Sequence, residues 1–282
     1  MALLSDARAQ YHEALKERIW RLDSEGKPSN ADKSQKNPTA IATHMAAALG
    51  VEPGPSLHSQ TVGREFELVT ARFLQQTFLP LMAGRGEHWS VDHVTSRSGG
   101  QIAAYAQYSH IGKIEAAART TPEIRILLGL NYNVASDVVI ARGPETDAEI
   151  NLRAPFVDDV AGIGSALRAA GDTKPTLHAC VSCKWTMRSD RAQNVRAEAL
   201  SLIRNRRGRA PHIVMVTAEP WPSRLASLAL GTGDIDCVYH IALPELRAAA
   251  TVGGAKAADK LELMIEQERI KDIADLPLDL TL

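Results

Sequence analysis

Three short apolar runs in the second half of the chain, Leu177–Trp185 (LHACVSCKW), His212–Ala218 (HIVMVTA) and Cys237–Leu243 (CVYHIAL), are separated by segments with helical spacing, and this alternation constrains the fold most. Runs of this length and β-branched content suit buried strands. Upstream, Trp89–Thr95 and Val134–Arg142 (VASDVVIAR) also read as strands. Helical patterns cover Leu3–Trp20, Pro38–Gly50, Gly63–Met82, Gln101–Thr120, Thr121–Leu130, a segment from about Asp190, Pro222–Leu230 and Ala257–Ile273. Strands interleaved with helices predict an α/β fold, a mixed central sheet flanked by helices. With 282 residues, 45% of them apolar, one domain spanning 1–282 can bury a sizeable core.

Asp137 is the anomaly in these runs. A carboxylate inside a strand that otherwise looks buried is costly unless it is paired or bound to a metal. Leu177–Trp185 carries a second charge, Lys184, on the face of His178, Cys180 and Ser182. Glu198 follows on the next helix. An acid in one strand, a lysine at the end of another and an acid on the following helix suit phosphodiester hydrolysis. Carboxylates hold Mg²⁺, which polarises the phosphate and activates a water, while the lysine orients that water or stabilises negative charge.

The chain has a net charge of −1, yet Leu177–Arg209 gathers eight basic residues against Asp190 and Glu198. A local basic patch of this kind fits a polyanion, and it also fits a solvated helix face. Within it, Arg188, Asp190 and Arg191 stand at a helix start, from which side chains enter the major groove. Arginine pairs with guanine and aspartate accepts from cytosine, so these three could read neighbouring G·C pairs. Arg204, Arg206, Arg207 and Arg209 suit phosphate contacts. The polar stretch 23–37 is a long loop of the kind that is functional or disordered. Glu67, near the start of a helix, is accounted for by the helix dipole alone.

Cys180 and Cys183 form a CxxC, but no second ligand pair follows at zinc spacing, and the surrounding residues alternate like a strand, so a structural role is expected. Three cysteines with no partner framework, no apolar run long enough to be a signal peptide and no apolar stretch of roughly 18 residues predict a cytoplasmic protein.

The run SCKWTMRSDRAQNVRAEALSLIRNRRGRAPHIVMVTAEP resembles the NgoMIV type II restriction endonucleases, a branch of the PD-(D/E)XK nuclease superfamily. So do ALGTGDIDCVYH, DLPLDL, PSNADKS, SQTVGREFE and DAEIN, and the similarity spans most of the chain. In this branch the second acid sits on the helix after the lysine strand. Ser182 stands where the general motif has an acid, and Glu198 supplies the displaced carboxylate. Ser136 replaces the proline that usually precedes the metal-binding aspartate. The resemblance implies a restriction-endonuclease-like fold, with Asp137 and Glu198 as metal ligands, Lys184 as catalytic residue and Glu67 as a further acid. It implies that Arg188, Asp190 and Arg191 read a CCGG core, and that Asp32, Ser34 and Gln60, in the N-terminal region 1–62, read the outer G·C pair. It also implies Mg²⁺ as cofactor, GCCGGC as the site, cleavage after the first G to leave 5′ overhangs, and a dimer or tetramer. A DNA-binding protein without catalysis would have no use for Lys184 or Glu198. A repair nuclease of the same fold would cut without regard to the site.

Overall fold

The structure, a computed structural model, describes residues 2–86, 88–95, 101–120, 136–169, 171–231 and 233–282. Its centre is a six-stranded mixed sheet in the order β1 (Trp89–His93), β2 (Val138–Arg142), β3 (Thr176–Lys184), β4 (His212–Thr217), β5 (Cys237–His240) and β6 (Ile270–Asp272). β1 pairs with β2 and β2 with β3 antiparallel, and β3 to β6 run parallel. The parallel half carries the most apolar runs, because strands covered on both faces have no solvent side to keep polar. The predicted α/β architecture is the one observed.

Helices cover both faces: α1 (Leu3–Arg18), α2 (Lys36–Ala48), α3 (Ser59–Met82), α4 (Ser109–Thr120), the short α5 (Asp147–Ile150), α6 (Ser189–Asn205), α7 (Pro222–Ala229), α8 (Leu243–Ala249), α9 (Ala255–Glu266) and α10 (Leu276–Asp279). None of the described helices is long and apolar enough to cross a membrane. In α3, Phe66, Val69, Phe73, Leu74 and Phe78 are buried at helical spacing and form the stripe that meets α1 and the sheet.

Three local expectations change. The helix expected at Gln101–Thr120 becomes two 3₁₀ turns, Ile102–Ala104 and Ala106–Tyr108, before α4. Tertiary hydrogen bonds override helix propensity there. The Ala106 N–H donates to the Pro175 carbonyl, the Gln107 side chain bonds both backbone groups of Leu177, and the Tyr108 hydroxyl donates to Leu202. The helix expected at Ala257–Ile273 stops at Glu266 as α9, and Ile270–Asp272 beyond it add β6 to the sheet. The strand expected at Val134–Arg142 is seen from Val138, and its first two residues, like the helix expected at Thr121–Leu130, lie outside the described residues. Cys180 and Cys183 are buried free thiols, and burial pushes the Cys180 thiol up to about 12, as a structural role requires.

An ion cluster pins α1 to the far edge of the sheet. Arg8 Nε donates to Asp272 Oδ1 at 2.8 Å and Arg8 Nη2 to Glu245 Oε2 at 2.6 Å, with Asp272 Oδ2 also accepting from the Leu243 N–H at 3.0 Å. Arg8→Ala leaves two carboxylates with 13% and 19% exposure facing each other. The expected cost is about 1–2 kcal/mol, read as a lower midpoint in urea unfolding.

Candidate active site

The antiparallel pairing of β2 with β3 builds the centre of the site. Val138 faces Val181, so Asp137 falls opposite Ser182, on the side of β3 that also carries Lys184. Asp137 is 2% exposed. Its Oδ2 accepts from Lys184 Nζ at 2.7 Å and from the Cys183 N–H at 2.7 Å. The charge that looked anomalous in the sequence is therefore matched by a cation and a backbone donor, as a buried carboxylate requires. Behind Lys184 the backbone is anchored as well: the Thr217 hydroxyl donates to the Lys184 carbonyl at 2.7 Å. Trp185, the next residue, is wedged edge-on against Trp20 and Phe66.

Phe66 brings its neighbour Glu67 to the same place. Glu67 Oε2 lies 2.9 Å from His93 Nε2 at the end of β1. Burial, and then the negative charge of Asp137, push the Glu67 carboxyl up, with His93 and Lys184 offsetting part of the effect. Glu67, His93, Lys184, Arg191, Asn194 and Glu198 line one cleft of about 910 Å³. Arg21, Lys27, Lys33 and Arg64 stand around it, so its rim is rich in cations. His93 and these rim residues were not singled out from sequence, since each is an ordinary polar residue until the fold gathers them.

Glu67 and Glu198 in the cleft, with Asp137 close enough to raise the Glu67 carboxyl, offer carboxylate oxygens, the donors that a hard divalent cation takes. Among the described residues no three His, Cys, Asp or Glu side chains lie close enough to hold an ion together.

The expected reading residues fall into two groups. Arg188 precedes α6 in extended conformation, and Arg188 and Asp190 are exposed at the helix start. Arg191 turns back onto the preceding turn, donating to the Thr186 carbonyl at 3.1 Å and hydroxyl at 3.0 Å. In the second group, Asp32 Oδ1 accepts from the Ser34 hydroxyl at 2.7 Å. Asp32 Oδ2 accepts from Arg224 Nη2 at 2.7 Å. The Ser34 hydroxyl and the Arg224 guanidinium bring the Asp32 carboxyl down to about 2. Gln60 lines the cleft at the first turn of α3. Arg224, on α7, was missed because nothing in the local sequence of a short amphipathic helix distinguishes it. Arg204 lies in the last turn of α6, and Arg209 lines a separate depression with Arg142, Thr176 and His178 at the start of β3. Eight residue steps along β3 separate that end from Lys184, about 26 Å.

Two comparisons bear on this arrangement. The family described as NgoMIV restriction enzyme matches residues 11–282. The chain is also 44% identical over 281 residues to the type II restriction enzyme NgoMIV of Neisseria gonorrhoeae, covering 99% of this chain and 98% of that protein.

Proposed function

This chain belongs to the NgoMIV restriction enzyme family and is a type II restriction endonuclease, and on that premise we propose that it cuts double-stranded GCCGGC after the first G, with Mg²⁺ as cofactor, in the cytoplasm. The observation that carries the chemistry is the Asp137–Lys184 pair at 2.7 Å, whose lysine lines a cation-rich cleft together with Glu67 and Glu198. When bound, the divalent ion supplies Lewis-acid polarisation of the phosphate and a water of lowered pKa. Asp137 and Glu198 would hold it, with Glu67 as a neighbouring acid. Lys184, 16% exposed, can turn its ammonium from Asp137 toward the phosphate and take up the negative charge that develops there. Water oxygen adds to phosphorus as the bond to the 3′ oxygen breaks, leaving a 5′-phosphate and a 3′-hydroxyl.

Arg188, Asp190 and Arg191 read the CCGG core in this proposal, and the N-terminal region 1–62, through Asp32, Ser34 and Gln60, reads the outer pair. Two copies of the reading helix across a twofold axis make the site palindromic. Incubating a plasmid bearing GCCGGC with Mg²⁺ tests the assignment. Cutting confined to that site is expected, and a folded protein that leaves it intact sinks the claim.

The proposed assembly is a homotetramer. Leu152, Phe156, Val160 and Ile163 are 84%, 65%, 84% and 63% exposed within twelve residues, an apolar display that a lone chain has no reason to keep. Phe156→Asp combined with Val160→Asp is expected to lower the mass in sedimentation to that of a smaller assembly. An unchanged mass would remove this surface from the interface.

A further inference from the structure

The end of β4 touches all three parts of the machinery. Thr217, Ala218 and Glu219 are each 0% exposed, and each is hydrogen-bonded to a different functional segment, Thr217 as donor and the other two as acceptors. The Thr217 hydroxyl donates to the Lys184 carbonyl at 2.7 Å and accepts from the Glu219 N–H at 3.2 Å. The Ala218 carbonyl accepts from the buried Asn30 side chain at 2.9 Å, two residues before Asp32. Glu219 Oε2 accepts from the Met187 N–H at 2.8 Å, immediately before Arg188. Arg224 faces the same oxygen of Glu219 at 3.6 Å while its Nη2 bonds Asp32. Both oxygens of Glu219 are engaged, Oε2 by the Met187 N–H and Oε1 by the Trp221 N–H at 3.1 Å, so a carboxamide there would turn its NH2 onto one of two N–H donors and loosen a segment that the carboxylate holds.

We propose that Thr217–Ala218–Glu219 couples base reading to cleavage: Glu219 is a positioning residue that holds the Arg188 segment and, through Arg224, the Asp32 loop in one register, and Thr217 passes that register to Lys184. The proposal rests on the reading of Asp32 and Arg188–Arg191 as base contacts. Thr217 ends the central strand β4 and Ala218 and Glu219 continue directly from it, all three buried, so a displacement of either reading segment has only these residues to cross before it reaches the Lys184 backbone.

The test uses the full-length protein and two duplexes, one with GCCGGC and one with the outer pair exchanged to ACCGGT. Single-turnover cleavage is measured in Mg²⁺ and equilibrium binding in Ca²⁺, for wild type, Asp32→Ala, Glu219→Gln, their double variant, Thr217→Val and Thr217→Ser. Glu219→Gln is expected to lower the cleavage ratio between the duplexes about tenfold. The double variant is expected to lose less than the two single losses combined. Thr217→Val is expected to lower the same ratio about tenfold with binding of GCCGGC within about twofold of wild type, and Thr217→Ser, which keeps the hydroxyl, to recover it. If Asp32→Ala leaves the ratio unchanged, the base-reading assignment fails and the coupling falls with it. If Asp32→Ala collapses the ratio while a folded Glu219→Gln and Thr217→Val both keep it, the coupling alone is overturned. Should Glu219→Gln not fold, the Thr217→Val and Thr217→Ser pair decides: equal ratios in the two overturn the proposal.

Discussion

Asp137→Asn is expected to reduce single-turnover cleavage of GCCGGC by at least about a thousandfold, some 4 kcal/mol of barrier, while leaving the protein folded and bound to DNA. The carboxamide keeps the shape of the side chain and can still accept from the Cys183 N–H, which donates to Asp137 Oδ2 at 2.7 Å. It loses the charge that pairs with Lys184 and that a divalent ion requires. Binding is expected to be retained, because removing one negative charge from a cleft that meets phosphates lowers repulsion. Cleavage within about tenfold of wild type would remove Asp137 from the chemistry. A protein that no longer bound DNA would mean that Asp137 acts by holding the strand ends in place.

The second large effect is on stability as pH changes, and it separates two buried groups by sign. Burial holds the His240 imidazole down to about 4, and the Ala242 N–H donates at 3.0 Å to Nδ1, the lone pair that a further proton would need. The folded state stays neutral where the unfolded chain takes a proton, so stability is lost as pH falls from about 6.5 toward 4, by roughly 3 kcal/mol. Glu219 runs the other way. Burial raises its carboxyl to about 7, against the opposing pull of the Met187 N–H and Arg224. Its contribution is fully present below the unfolded value near 4.5 and is lost as pH rises through 7. Between pH 5 and pH 8, wild type is therefore expected to lose roughly 2–3 kcal/mol relative to Glu219→Gln, which does not titrate. Urea unfolding of both proteins at the two pH values reads the difference directly. A constant gap between them would show that Glu219 is ionised throughout this range in the folded protein.

The chemistry was legible where a charge interrupted an apolar run. Asp137 and Lys184 stood out because strands buried on both faces have no ordinary place for them, and their pairing across β2 and β3 is what that cost demands. Glu219 carried no such signal. An acid after a strand and before a proline reads as a solvated turn, and only the approach of Met187 and Arg224 from other elements makes it a buried carboxylate. His93 was hidden for the same reason, since its partner Glu67 lies 26 residues away. The short strand β6 escaped notice because three residues, Ile270–Asp272, carry no measurable period and are extended through pairing with β5.

Local pattern alone thus determined the class of fold, the strands β3, β4 and β5, most helices, and the residues whose charge was out of place. Those are properties of neighbours along the chain, set by the periods of helix and strand and by the cost of burying charge. Tertiary structure decided the order of the strands, the turns at Ile102–Tyr108, the company of Glu67 and His93, and the junction at Thr217–Glu219 that joins Lys184 to both reading segments. These are contacts between segments far apart in sequence, each too weak to be written into its own neighbourhood, and they exist only once the sheet has brought the segments together.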